Sequence, residues 1–156
     1  MNILVANRQR TKKIDVPLLK KVTAAALAEL GVRHCELEIN LMGTTGMAAL
    51  NETFLQHTGS TDVITFDYSE GKKLRQDVGV AGEIFVCVDD AIAQSKQFRT
   101  RWQSEVARYV VHGVLHLLGH DDLRPQARRT MKREENRLMR VLEKQLSLTR
   151  IERREQ

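Results

Sequence analysis

The stretch VVHGVLHLLGHDD, residues 110–122, decides how the rest of the chain is read. The chain has five histidines, and three of them, His112, His116 and His120, fall inside this stretch, followed at once by Asp121 and Asp122. The apolar residues around them predict a helix that starts near Gln103. Positions four apart on a helix share a face one turn apart, so His112 and His116 offer two imidazoles to one point. Gly119 can take a left-handed conformation, end the helix and turn the chain back. A residue past that turn can supply a third donor, and the candidates are His120, Asp121 and Asp122. His120 would continue the column of His112 and His116. Three donors spaced a turn apart (~5.4 Å) cannot surround one ion with bonds near 2 Å. Spacing therefore points to His112, His116 and Asp122, with His120 flanking the cleft.

The chain around this stretch is ordinary in bulk. Its 156 residues suit one domain with a real core, and 42% apolar with 29% charged residues is a globular composition. Cys35 and Cys87, far apart and each in an apolar stretch, read as reduced thiols of a cytoplasmic protein. No apolar run is long enough to span a membrane, and the basic cluster in MNILVANRQRTKK follows its apolar run, the wrong order for a secretory signal. Twenty-five Lys and Arg face twenty Asp and Glu, a net charge of +5. That excess favours a polyanionic partner, most often nucleic acid.

Strand and helix signals alternate irregularly, which predicts a single α+β domain over residues 1–156. NILVA reads as a first strand. Asp15 caps a helix with Pro17 in its first turn, and Gly31 stops it. CELEINL alternates apolar and polar residues, a strand with one wet face. TTGMAALNETFL reads as a helix capped by Thr44 or Thr45. DVITFDY and GEIFVCV read as strands, separated by a polar loop. Asp89 or Asp90 caps a short helix, and Pro125 to Leu146 forms the last one. With the histidine helix, the helices number about five. Residues 148–156 read as a frayed basic tail.

The His-x3-His-x2-Gly-x2-Asp spacing matches that of metzincin metal helices, with Asp in third place. The second position of a protease HExxH motif, which carries the general base, is Gly113 here, and this counts against peptide hydrolysis. HGVLHLLGHDD resembles the signature of the YbeY family, bacterial endoribonucleases of ribosomal RNA maturation. LNETFLQHTGSTDVITFDY, AGEIFVCV and EVARYVVHG resemble three further segments of that family, and the likeness runs over about residues 35–145. It implies a mixed four-stranded sheet with a zincin-like metal helix. It also implies one zinc ion per chain, with another divalent metal as the alternative, and action in the cytoplasm on 16S rRNA 3′ ends and in ribosome quality control. The RNA or the small ribosomal subunit would be the partner. Two departures stand out. The family's third ligand is usually His where this chain has Asp122, and a family arginine linked to catalysis aligns with Leu55.

The reaction this implies is metal-assisted cleavage of an RNA phosphodiester. No general base is evident. His57, Thr61 and Asp62 are candidates near the cleft, each with a plain reading as loop, cap or turn. Glu105, two turns before His112, reads as structural. Phosphate contacts would come from Lys72, Lys73, Arg75, Arg99, Arg101 and Arg124, with Arg128 and Arg129 nearby. A ribosome assembly factor with a structural metal is the rival reading, and Leu55 favours it.

Overall fold

A computed structural model describes residues 1–55, 62–69 and 79–154. Four strands, β1 (Asn2–Asn7), β2 (Cys35–Met42), β3 (Val63–Asp67) and β4 (Val80–Cys87), form one sheet in the order β1-β2-β4-β3. β1, β2 and β4 run parallel, and β3 closes the edge antiparallel to β4. Five helices, α1 (Val16–Glu29), α2 (Thr44–Leu50), α3 (Val88–Phe98), α4 (Trp102–Leu117) and α5 (Pro125–Gln145), complete the α+β domain. The parallel pairs are joined by crossovers that carry helices, as parallel pairing requires.

The alternation in β2 and β4 sets the layers. In register, Ile39 lies beside Ile84 and Leu41 beside Val86, so these side chains share one face. That face packs on Leu19, Val22 and Leu27 of α1, Val110 and Val114 of α4, and Leu138 and Leu142 of α5, all completely buried. Each such side chain contributes about 1.5–3 kcal/mol of burial, so this layer holds the domain together. The opposite face carries a small cluster, Met47, Ile64 and Cys87 with Phe66 and Phe85 against it. The rest of that face is polar, with Asn40 donating to Glu83 at 3.2 Å.

α4 lies hard against β4. A Cβ built on Gly113 would sit 2.7 Å from Cγ2 of Ile84. Position 113 therefore faces the sheet, and the close helix–strand approach leaves no room for the base of a protease motif.

Several local expectations are corrected. Asp15 does cap α1, accepting from the Leu18 N–H at 3.0 Å. The caps expected of Thr44 or Thr45 and of Asp89 or Asp90 are not made. Gly43 precedes α2 and Cys87 precedes α3. Asp89 reaches across instead, accepting from Thr44 N at 2.8 Å and Thr44 Oγ1 at 3.0 Å, so one carboxylate caps a different helix from its own. The frayed tail is also corrected through residue 154. Residues Leu148–Ile151 form a 3₁₀ turn with Leu148 and Ile151 buried in the main core. Asp15 N donates to Ile151 O at 2.8 Å and Arg153 N to Lys13 O at 2.9 Å. Two apolar residues in a charged segment suffice to dock it, because they fill a gap beside α1 and α4. Both cysteines are free and buried, and burial pushes each thiol up to about 11.

Candidate metal centre

α4 ends as its sequence requires. Leu118 caps it and Gly119 takes φ +100°, a left-handed conformation suited to glycine. Gly119 N donates to His116 O at 3.0 Å and His120 N to Leu115 O at 3.0 Å, which turns the chain back over the last turn of the helix. The turn carries Asp122 to the imidazole pair. Its Oδ2 lies 3.5 Å from His116 Nε2 and 3.8 Å from His112 Nε2. The two Nε2 atoms are 3.1 Å apart.

The hydrogen bonds on the far side of each ring set its tautomer. His116 Nδ1 lies 3.2 Å from the carbonyl oxygen of His120, which can only accept, so Nδ1 carries the proton. His112 Nδ1 lies 3.0 Å from Glu135 Oε2. Glu135 on α5 is only 4% exposed. Burial would raise its pKa, but the hydrogen bonds from His112 and Arg108 and the nearby Lys132 outweigh this and hold it down at about 2. Glu135 is thus an anion, and His112 donates to it. With Nδ1 of each ring turned to its own acceptor, the two Nε2 atoms face one point beside a carboxylate oxygen, where a cation would be held by all three.

The donor set fits a metal. Tetrahedral coordination with bonds of about 2.0–2.1 Å puts neighbouring donors roughly 3.3 Å apart, and the three separations here are 3.1, 3.5 and 3.8 Å. His112, His116 and Asp122 are the one such cluster among the described residues. Three protein donors leave a coordination position open, as catalytic sites do. Hydrogen-bonded partners behind each imidazole are the usual way a protein fixes its metal ligands.

The remaining predicted residues divide clearly. His120 supplies its backbone carbonyl to His116, and its side chain is not part of the donor cluster. Asp121 accepts from Leu123 N at 2.8 Å and serves the turn. A cleft of about 460 Å³ opens beside the donors, lined by Asp62, Phe98, Arg108, Tyr109, His112, Asp122, Arg128, Lys132 and Glu135 among others. Asp62 therefore reaches the cleft, although its side chain also accepts from Val63 N at 2.8 Å. Glu105 accepts from Thr100 Oγ1 at 2.9 Å and helps close the turn into α4, a structural role. Arg99, Arg101 and Arg124 are exposed at helix ends and do not line the cleft. His57, Thr61, Lys72, Lys73 and Arg75 lie outside the described residues.

Sequence reasoning missed Glu135 and Arg108. Glu135 had a signal: it interrupts the buried stripe of Met131, Leu138, Met139 and Leu142 on α5, and a carboxylate on an apolar face needs partners. Arg108 is one turn before His112, and its NH1 donates to Glu135 Oε1 and Asn136 Oδ1, each at 2.8 Å.

A family profile described as "Endoribonuclease YbeY" matches residues 4–143. The chain belongs to the YbeY family. An "Endoribonuclease YbeY" of Chlorobium phaeovibrioides is 36% identical over 142 residues, covering 91% of each chain. One from Bacteroides fragilis is 38% identical over 135 residues, covering 83% of this chain and 93% of its own. The solution structure of TM1509 from Thermotoga maritima shares the fold, with a TM-score of 0.67 at 19% identity, covering 92% of this chain and 91% of that one. The resemblance noted over residues 35–145 thus extends over most of the chain. No helix among the described residues is long and apolar enough to cross a membrane.

Proposed function

We propose that this protein is a metal-dependent endoribonuclease of ribosomal RNA maturation, acting in the cytoplasm on 16S rRNA 3′ ends or on the small ribosomal subunit. Zinc is the proposed metal, held by His112, His116 and Asp122. The observation that carries the reading is the pair of lone-pair-bearing Nε2 atoms and the Asp122 carboxylate converging at the mouth of a cleft with cations in its wall. A divalent ion bound there would polarise a phosphoryl oxygen and lower the pKa of a coordinated water. The chain's own groups do the rest. Glu135 holds His112 in the ligating tautomer and orientation, and the His120 carbonyl does the same for His116. Arg128 and Lys132 line the cleft on α5 and would attract the RNA backbone. Phe98, 59% exposed and also lining the cleft, offers a face on which a base can stack. Asp62 and Glu105 also line the cleft, and Asp62, whose carboxylate is not taken up in closing the turn into α4, is the one we assign to accept a proton.

The family names of the relatives support RNA as substrate, and the net charge of +5 agrees with it. Leu55, at the family's arginine position, favours a second reading: an assembly factor that binds RNA and metal with little catalysis. One experiment separates them. Nuclease-free wild type and His116→Ala protein are purified side by side and incubated with an rRNA 3′-end fragment, with and without chelator. The nuclease reading expects cleavage by the wild type that chelator abolishes, and none by His116→Ala. Metal bound in stoichiometric amount without cleavage would favour the assembly factor. Equal cleavage by both proteins would contradict a metal-based reaction.

A further inference from the structure

The end of the molecule away from the histidine pair carries a second concave site. Chain 8–15 and chain 150–154 are separated by most of the sequence, yet they are stitched together by the Asp15–Ile151 and Arg153–Lys13 backbone bonds and by the bridge between Ile14 and Glu152. The first of these segments is rigid for a local reason. Gln9 is 8% exposed, and its amide donates to Asn7 Oδ1 at 2.9 Å and Lys12 O at 2.8 Å while its oxygen accepts from Lys12 N at 3.0 Å. Thr11 Oγ1 donates to Asp89 at 2.8 Å and ties the loop to α3. The second segment is anchored by buried Leu148 and Ile151.

Between them lies a cleft of about 1150 Å³ whose walls carry Arg10, Lys12, Lys13, Arg150, Arg153 and Arg154. Two carboxylates also line it, and both are engaged: Asp15 caps α1, and Glu152 accepts from Gln103 Nε2 at 3.3 Å. Among the described residues, six cations face two carboxylates in this cleft. Lys12 is held over the Trp102 ring, 5.5 Å from its centroid. Like charges cluster this way at a cost in stability, and that cost is recovered when an anion binds.

We propose that this cleft is a second RNA-binding site, which grips the phosphate backbone of the same strand that enters the metal cleft; the proposal rests on the nuclease reading for the identity of that strand. The two sites share no lining residue. Trp102 and Gln103, at the start of α4, adjoin the basic cleft, and His112 and His116 lie near its end. At 1.5 Å per residue the separation is roughly 14–20 Å along the helix. At about 3.4 Å per stacked nucleotide, and more where the strand is unstacked, about six nucleotides or fewer span it. An RNA long enough to reach both sites binds tightly, and a shorter one loses the contribution of the cleft.

The test is binding of a labelled single-stranded RNA of about twelve nucleotides to His116→Ala protein in chelator, so that cleavage plays no part. In that background, Arg10→Gln/Arg150→Gln/Arg153→Gln is compared with Lys20→Gln/Lys21→Gln/Arg140→Gln, a set of exposed cations on α1 and α5 that removes equal charge. The cleft triple should lose about ten- to a hundred-fold in affinity near 0.1 M salt. Its log-log salt slope should shrink by about 2, at about 0.7 per single-strand phosphate contact. The control triple should change far less. Should the cleft triple melt early, Arg153→Gln alone should still lower the slope by about 0.7. Equal losses in both triples would reduce the effect to net charge and overturn the proposal, as would unchanged binding. Inorganic phosphate alone saturating the cleft at submillimolar concentration, without displacing RNA, would assign it to a small free anion and also overturn it. A wild type that binds RNA through the cleft but never cleaves it sinks the nuclease reading and leaves this site standing.

Discussion

The two ends of α4 teach opposite lessons about how a site is built. At its C-terminal end, bare donors converge: two imidazole nitrogens 3.1 Å apart and a carboxylate oxygen within 3.8 Å of both. At its N-terminal end, cations converge on a cleft formed by chain 8–15 and chain 150–154. The first site invites a small cation and the second a large anion. The first is fixed by a buried anion behind it, Glu135. The second is fixed by backbone, through a buried glutamine and a docked tail. A metal needs its donors placed to within a few tenths of an ångström, so side chains must be locked by partners. A phosphate backbone tolerates looser placement, so long side chains on a rigid main chain suffice.

That contrast breaks most visibly at Glu135. Glu135→Gln replaces the carboxylate that fixes the His112 tautomer, and metal affinity should fall by roughly ten- to a hundred-fold. Competition with a metallochromic indicator measures it, with circular dichroism to verify the fold. An unchanged affinity would mean that the α5 partner is incidental to the donors.

A smaller and purely structural effect is expected at the other end. Ile151 is completely buried, so Ile151→Ala should cost about 2–4 kcal/mol of stability through lost burial and the cavity left behind. Urea denaturation reads it. A tail that frays in solution would give a value near zero, and the preformed basic cleft would then not exist.

The same contrast explains what the sequence made legible. The candidate metal centre occupies eleven consecutive positions, and helix periodicity with one glycine places its donors: the expected fold-back at Gly119 is the observed one. The alternation in CELEINL marked one central strand, because one buried face leaves that signature, and the apolar run GEIFVCV marked its neighbour. Glu135 escaped notice because it pairs with His112 across 23 residues and sits among charged neighbours. The docked tail escaped because only Leu148 and Ile151 carry it, too few for a periodic pattern. Asp89 was read as a cap for its own helix, whereas it caps α2 from 45 positions away. Contacts of that range leave no mark on local sequence.

Metal content tests most directly which residue beyond Gly119 completes the donor set. Asp122→Ala, His120→Ala and Asp122→His proteins are loaded with zinc, desalted and assayed for bound metal per chain beside the wild type. His120→Ala should stay nearly fully loaded, because only its backbone carbonyl serves the site. Asp122→Ala should lose most of its metal, and Asp122→His should retain zinc while competing manganese is disfavoured, an imidazole being the softer donor. An empty His120→Ala beside a fully loaded Asp122→Ala would contradict the account.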